Sequence, residues 1–227
     1  MVASLAALCL VESPDASTVK STTRSNDFHE SWKLFRRDAS FRRLCWVTML
    51  FVTMQLLFPH FQALGLHRPG ARFADMMVWV VVQNLGTGLF SLLAGSIADR
   101  KGNRLAIRLE VFVAAATPLL ALGLTLGWFG ESVPFWPTFF LLGVVPLTYR
   151  TLVNYALELA APEQHARYVS TLGLCMAIPF LLSPGVGLLT DLIGFRPVFV
   201  GVSLLVFAGG LMTFRMVEPR STSTPDS

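Results

Sequence analysis

Six long apolar stretches constrain the fold of this chain more than any other feature of its sequence. They cover residues 45–64, 76–98, 105–128, 134–160, 169–191 and 197–214. About 20 residues of α-helix, each adding about 1.5 Å, cross the roughly 30 Å of hydrocarbon in a bilayer. Each stretch is therefore long enough to span a membrane. Together they predict an all-α membrane protein with six transmembrane helices.

The composition supports this fold class and disfavours two other kinds of protein. Of the 227 residues, 53% are hydrophobic and 14% are charged, whereas about 25% of the residues of soluble domains are charged. The net charge is +4, but the cations cluster beside the apolar stretches, so we expect the lipid bilayer as a partner and no nucleic acid. The three cysteines lack the spacing of a metal or redox site, and we predict neither a metal nor a cofactor.

The positions of the cations predict the orientation of the chain. With both termini in the cytoplasm, 14 of the 18 Lys and Arg residues lie in cytoplasmic segments. Arg68, Arg72 and Arg196 lie on the opposite, non-cytoplasmic side of the membrane, and Arg150 lies within a span. Because cytoplasmic loops carry an excess of Lys and Arg, we predict a multi-pass protein of an inner or plasma membrane with both termini cytoplasmic.

A charged motif of the pattern G-x3-D-x2-G-x-R occurs twice. The first copy consists of Gly95, Asp99, Gly102 and Arg104. The second copy consists of Gly187, Asp191, Gly194 and Arg196. Each copy joins two consecutive apolar stretches, and the two loops fall on opposite membrane faces. This arrangement predicts two inverted three-helix repeats, which are typical of secondary transporters.

The segment 95–104 resembles the loop signature of the major facilitator superfamily, and residues 154–168 resemble that family's loop between its tenth and eleventh helices. Together with the spacing of the apolar stretches, the resemblance covers roughly residues 32–216 and implies the C-terminal six-helix half of such a transporter. Asn103 departs from the pattern, because the family commonly has a basic residue there.

The resemblance also implies a cytoplasmic gating loop. Its residues are Gly95, Asp99, Arg100, Gly102, Arg104 and Arg167. We expect Asp99 to lie near the first turn of the fifth helix, at residues 167–170, because free N–H groups and the cation of Arg167 would favour a carboxylate there. Such a contact would act as a latch on the cytoplasmic side.

Polar residues within the apolar stretches are the candidates for a substrate cavity, because an ionisable side chain in hydrocarbon costs about 2.5–3.5 kcal/mol. The candidates are Gln55, Gln83, Asn84, Arg150, Thr151, Asn154 and Glu158. Arg150, Asn154 and Glu158 recur at every fourth residue and so share one helix face, with Thr151 beside them. The resemblance implies that the first and fourth helices line the cavity.

These candidates have alternative interpretations. Arg150 can form a structural ion pair with Glu158, or extend towards the headgroups. The amides of Gln55, Gln83 and Asn84 can equally serve as hydrogen-bonding groups between helices.

The segments outside the apolar stretches have simpler predictions. We expect residues 1–27 to be disordered or a remnant of a preceding helix, and residues 217–227 to be a cytoplasmic tail. Residues 28–43 interleave cations with aromatic residues, which predicts a basic amphipathic cytoplasmic segment before a membrane domain at residues 44–216. The alternative is a plain cationic flank that only orients the first helix.

The predicted function is transport of a small solute, possibly coupled to an ion, by a secondary transporter with alternating access. A lone half exposes its cavity face, so a partner half or a homodimer is expected. The alternative is a non-transporting fragment or partner subunit that needs an N-terminal half. The sequence lacks the motifs of membrane-embedded hydrolases and proteases, so we do not expect an enzyme.

Overall fold

A computed structural model describes residues 24–130 and 133–218, and all regular secondary structure within these ranges is helical. The α-helices are α1 (Arg24–Arg37), α2 (Ala39–Val52), α3 (Phe58–Leu66), α4 (Asp75–Lys101), α5 (Asn103–Thr125), α6 (Trp136–Leu142), α7 (Val144–Leu159), α8 (His165–Phe180), α9 (Ser183–Ile193) and α10 (Phe195–Met212). Three short 3₁₀ segments, Thr53–Leu57, Pro162–Gln164 and Thr213–Arg215, adjoin them.

Among the described residues, six continuous helical segments are long and apolar enough to cross a membrane. These spans 1 to 6 are Ala39–Leu66, Asp75–Lys101, Asn103–Thr125, Trp136–Leu159, Pro162–Ile193 and Phe195–Arg215. Each contains most or all of the corresponding predicted stretch, and the six-helix prediction is confirmed. The predictions for residues 1–23 and 219–227 fall outside the described residues.

Helix α1 precedes the membrane domain and is joined to it at Asp38. The Asp38 carboxylate accepts the backbone N–H groups of Ser40 and Phe41 at 2.8 and 3.0 Å, which caps the first turn of span 1. The structure thus divides the basic segment predicted at 28–43 into a separate helix and the first turn of a span.

Proline explains the interruptions within two spans. In span 1, Pro59 has no N–H for the carbonyl of Gln55, and the N–H of Phe58 bonds that carbonyl instead, which produces a tighter 3₁₀ turn. In span 4, Pro146 leaves the carbonyl of Leu142 without its helical donor, and the helix is interrupted at Gly143.

Spans 2 and 5 lie at the margins of the bundle. Only 11% of the apolar stretch of span 2 and 17% of that of span 5 is buried, against 44% or more in the other four spans. Span 3 packs against spans 2, 4 and 6, while span 1 packs against spans 4, 5 and 6. Spans 2 and 5 both pack against span 4, so the exposed surface of span 4 lies between them.

Spans 2 and 4 approach each other closely where both have glycine. A Cβ on Gly86 would overlap the carbonyl of Phe140, and one on Gly143 would overlap the backbone of span 2 at Gln83 and Thr87. The Thr87 hydroxyl donates to the carbonyl of Gly143 at 2.9 Å. Small residues allow such backbone contact between membrane helices, and the hydroxyl adds a polar link.

Candidate functional site

Span 4 presents one polar face that no other described span covers. Pro146, Arg150 and Asn154, at intervals of four residues, are all exposed. Arg150 is nine residues from Leu159, or about 13 Å from the end of the span. Within the described residues its guanidinium makes no hydrogen bond or ion pair. The predicted common face of Arg150 and Asn154 is therefore present, and its cation is available for a ligand or a partner.

Glu158 is not part of that exposed face. It is half-buried, and its Oε1 accepts a hydrogen bond from Nδ2 of Asn103 at 2.9 Å. Asn103 is 6% exposed and is the first residue of span 3. The alternative of an Arg150–Glu158 ion pair is wrong for this structure, because the carboxylate turns towards the start of span 3.

Thr151, also predicted to line the cavity, is buried between spans 3 and 4. The sequence places it beside Arg150, but one residue further along a helix is rotated by about 100°, and Thr151 points into the bundle. Its hydroxyl donates to Oε1 of Glu110 in span 3 at 3.0 Å. It therefore does not line the exposed face of span 4.

Glu110 is the residue that our reading of the sequence missed. It lies in the second turn of span 3, is only 4% exposed, and leaves its Oε2 without a hydrogen-bond donor among the described residues. A carboxyl group inside an apolar span is the signal that could have identified it, because intramembrane carboxyl groups are rare and are usually paired.

The amide candidates are spread over two other spans. Asn84 is exposed on span 2, and its Nδ2 donates to the carbonyl of Val80 in the same helix at 2.8 Å. Gln83 is half-buried beside it, and Gln55 is half-buried in the 3₁₀ segment of span 1. Within the described residues no hydrogen bond joins any of these amides to Arg150. Asn84 alone among them lies on an exposed surface.

The first motif copy forms a sharp reversal between spans 2 and 3. Gly102 has φ 88° and ψ 159°, a conformation essentially restricted to glycine, and its N–H bonds the carbonyl of Ala98. Residues 213–218, which we call the C-terminal segment, fold back over this turn. A Cβ on Gly102 would overlap the Glu218 carboxylate, and Nη1 of Arg104 donates to the carbonyl of Met216 at 3.0 Å.

Further contacts attach the C-terminal segment to the bundle. Nε of Arg104 lies 3.7 Å from Oε2 of Glu218, and the Tyr155 hydroxyl donates to the carbonyl of Val217. Arg43 donates to the carbonyl of Arg215 at 2.7 Å. Spans 1, 3 and 4 are thus all tied to this segment at the end of the bundle that carries α1.

Within the described residues, no hydrogen bond or ion pair joins Asp99 to the fifth span. Asp99 and Arg100 are exposed and make no hydrogen bond or ion pair with described residues, and Gly95 is also exposed. Arg167 instead lines a cavity with Lys33, Arg37 and Asp38, near α1. Spans 2 and 5 each pack against span 4.

The second motif copy lies at the opposite end of the bundle. Gly194 has φ 82° and ψ 172°, and its N–H bonds the carbonyl of Thr190, as in the first copy. The ring of the next residue, Phe195, lies 5.9 Å from that of His67, at the far end of span 1. Asp191 and Arg196 are exposed, and no atom lies within 4 Å of a Cβ placed on Gly187 or Gly194.

Six apolar spans, two matching glycine turns and a polar face on span 4 define an integral, multi-pass membrane protein of the transporter class. The sequence model of the Major Facilitator Superfamily matches residues 70–227, which are 158 of the 227 residues. The chain belongs to that superfamily. No curated protein and no solved structure matches the chain.

Proposed function

We propose that the chain forms the C-terminal six-helix half of a secondary transporter that moves a small solute by alternating access. The exposed face of spans 2, 4 and 5 would meet a second six-helix unit, either a partner half or a second copy, across a water-filled cavity. The observation that carries this proposal is Arg150, an exposed cation within a span, between two spans that are themselves largely unburied.

The energetics of Arg150 favour a cavity over a lipid-facing position. A guanidinium near the centre of a membrane helix costs about 2.5–3.5 kcal/mol in hydrocarbon even on the most lenient scales. Water or an opposing unit removes that cost, and the neighbouring exposed residue, Asn154, is also polar. The five N–H donors of Arg150 form a planar fork that matches a carboxylate, a phosphate or a carbonyl group. We therefore propose an anionic or carbonyl-bearing solute.

Three features support the proposed pair of inverted three-helix repeats. Spans 2 and 5, which occupy equivalent positions in the two repeats, are the least buried spans. The two glycine turns have nearly the same backbone angles and lie at opposite ends of the bundle. Spans 3 and 6, again equivalent, pack extensively against each other.

The exposed side chains of the first loop suggest how the second unit would engage it. Asp99 and Arg100 have no partner among the described residues, so they are free to contact the cytoplasmic helix ends of that unit. Such a contact would favour one conformation of the transporter over the other. The sequence suggested a similar latch within the chain, between Asp99 and the fifth span.

Thiol accessibility tests the cavity without knowledge of the solute. In a background with Cys9, Cys45 and Cys175 replaced by Ala, we expect Asn154→Cys to react with a charged, membrane-impermeant thiol reagent in open membranes. The matched control is Leu204→Cys, because Leu204 is 63% exposed on span 6 and should face lipid. Equal protection of both cysteines would place Asn154 in lipid and contradict the proposal.

The substrate role of Arg150 is tested by conservative replacement. Arg150→Lys keeps the charge but loses the fork, and hydrogen bonds to charged groups contribute about 1.5–3 kcal/mol, so uptake of the preferred solute at low concentration should fall roughly ten-fold or more. A panel of carboxylates, phosphate esters and carbonyl compounds identifies that solute. Arg196→Lys, in the second loop, is the control and should transport normally. Normal transport by Arg150→Lys would exclude the role.

The proposed orientation is tested with the same reagent in sealed cells. Arg72→Cys, between spans 1 and 2, should be labelled from outside, whereas Lys101→Cys should be labelled only after permeabilisation. Both positions are exposed, so burial does not bias the comparison. The reverse pattern would invert the chain in the membrane.

A further inference from the structure

A cavity of about 390 Å³ lies between helix α1 and spans 1 and 5. Its main lining side chains are Trp32, Phe35, Trp46, Met49, Leu174 and Ile178. The rings of Trp32 and Phe35 stack with centroids 5.7 Å apart, and Phe35 meets Trp46 edge-on at 6.4 Å. Trp32 and Trp46 are each about half exposed. The walls are therefore apolar and aromatic but leave an opening.

Two arginines, Arg36 and Arg42, lie one helical turn beyond the lining residues Trp32 and Trp46, on the side where α1 meets span 1. Arg42 precedes Trp46 by four residues and Met49 by seven, so all three share one face of span 1. Nη1 of Arg42 donates to the backbone carbonyl of Arg36 at 2.9 Å. Arg36 in turn follows Trp32 by one turn of α1, about 40° around the helix axis. The cations thus lie at the end where α1 meets span 1.

The charges of Arg36 and Arg42 are not neutralised within the described part of the chain. Neither guanidinium forms an ion pair with a described residue. Asp38, which lies between them in sequence, is engaged elsewhere: one oxygen caps the start of span 1, and the other accepts the Tyr168 hydroxyl at 2.7 Å. An anion is therefore the complementary ligand for this end of the cavity.

We infer that this cavity is a binding site for an anionic phospholipid, with an acyl chain between α1 and spans 1 and 5 and with the phosphate between Arg36 and Arg42. The ligand needs both a hydrocarbon part and a negative group, because the walls are apolar and the cations lie at one end. A membrane phospholipid supplies both, and span 1, which lines the cavity, is long and apolar enough to cross the membrane. Cationic residues beside a span also attract anionic lipids specifically.

A bound lipid would add apolar contacts between α1 and the weakly buried span 5, which already pack against each other. Spans 1 and 5 also pack together, but only 17% of the apolar stretch of span 5 is buried. An acyl chain that contacts Trp32, Trp46 and Leu174 at once would add apolar contacts between three elements. Anionic lipid should therefore raise the thermal stability of the protein, and zwitterionic lipid of the same chain length should raise it less.

The test measures lipid binding to the purified full chain in detergent by native mass spectrometry, together with thermal unfolding. The probes are phosphatidylglycerol and phosphatidylcholine with identical acyl chains. We expect retained phosphatidylglycerol at a concentration roughly ten-fold lower than for phosphatidylcholine, because two adjacent cations favour an anionic headgroup. The double variant Arg36→Gln/Arg42→Gln should reduce this preference to about two-fold or less.

The matched control is Arg100→Gln/Lys101→Gln, which removes the same charge from exposed residues at the end of span 2. It should keep the lipid preference of the wild type. Ile178→Trp, which fills the cavity, should weaken binding of both lipids while the protein still unfolds cooperatively. The inference would be overturned if the wild type bound both lipids with equal affinity, or if the control variant lost the lipid preference as much as Arg36→Gln/Arg42→Gln does. It would also be overturned if a second copy of the chain, and not lipid, occupied the cavity.

Discussion

The glycine turns at Gly102 and Gly194 have nearly the same backbone conformation but very different surroundings. Both have φ above 80° and ψ near 160–170°, and each N–H bonds the carbonyl four residues earlier. Gly102 is buried beneath the Glu218 carboxylate, whereas a Cβ on Gly194 would meet nothing within 4 Å. The shared motif thus encodes the reversal of the chain, and its neighbours are supplied by other parts of the protein.

The residue after each glycine shows the same contrast. Asn103 is buried and donates to Glu158, which ties the first turn to the end of span 4. Phe195 occupies the equivalent place in the second turn and packs its ring beside those of His67 and Phe199. One turn is held by polar contacts and the other by aromatic contacts. Single substitutions at equivalent positions of the two turns should therefore change the stability of the protein by unequal amounts.

The largest expected effect is at the glycines themselves. Gly102→Ala and Gly194→Ala each force a residue with a Cβ into a conformation essentially restricted to glycine, at a cost of about 1–3 kcal/mol. Gly102→Ala should lose up to about 1 kcal/mol more, because it also displaces Glu218 from Arg104. Thermal unfolding in detergent measures the loss of stability of both variants. The control is Gly88→Ala, because Gly88 is exposed within a helix. Equal losses of stability in Gly102→Ala and Gly194→Ala would show that the Glu218 contact does not stabilise the protein.

The next largest effect is expected for Asn103→Ala. It removes a hydrogen bond to the half-buried Glu158 and should lower the free energy of unfolding by about 1–3 kcal/mol. A double-mutant cycle with Glu158→Ala, which removes the acceptor, isolates the pair, and the two losses should be strongly non-additive. Additive losses would mean that the Asn103–Glu158 bond is not maintained in solution.

A smaller difference is expected between the two motif arginines. Arg104→Ala removes contacts to Met216 and Glu218 and should cost about 0.5–1.5 kcal/mol. Arg196→Ala, at an exposed position, should change stability by about 0.5 kcal/mol or less. Limited proteolysis provides a second measurement, because loss of Arg104 should expose the C-terminal segment to cleavage. Tyr155→Phe, which removes another tie to this segment, should increase cleavage in the same way.

The smallest effects are expected for the motif carboxylates. Asp99→Asn and Asp191→Asn should each change the free energy of unfolding by about 0.5 kcal/mol or less, because both side chains are exposed and unpartnered among the described residues. A loss above about 1 kcal/mol for Asp99→Asn alone would reveal a partner within the chain. It would also support the predicted latch between Asp99 and span 5.

Patterns within single helices could be predicted from the sequence. The apolar stretches identified all six spans, because length and hydropathy decide whether a helix can cross a bilayer. The four-residue interval of Arg150 and Asn154 placed both on one face, which the structure leaves exposed. The same interval was misleading for Glu158, which is turned towards Asn103 at the end of its span.

Contacts between distant segments could not be predicted in this way. Thr151 and Glu110 come together because spans 3 and 4 pack side by side, and nothing in either helix alone indicates that pairing. Glu218 reaches Gly102 across 116 residues of sequence, through the return of the C-terminal segment. The neighbours of Asp99 likewise depend on how spans 2, 4 and 5 pack, which is a property of the whole bundle.

The sequence by itself determined the six spans, the two glycine turns and the polar face of span 4, since each depends on residues within one segment. Only the tertiary structure decided which neighbours surround those features: the C-terminal segment over Gly102, the open surface beside Gly194, and the cavity beneath α1. The physical reason is that hydropathy and backbone conformation are local. Burial and polar pairing depend on helix packing, which joins residues far apart in the chain.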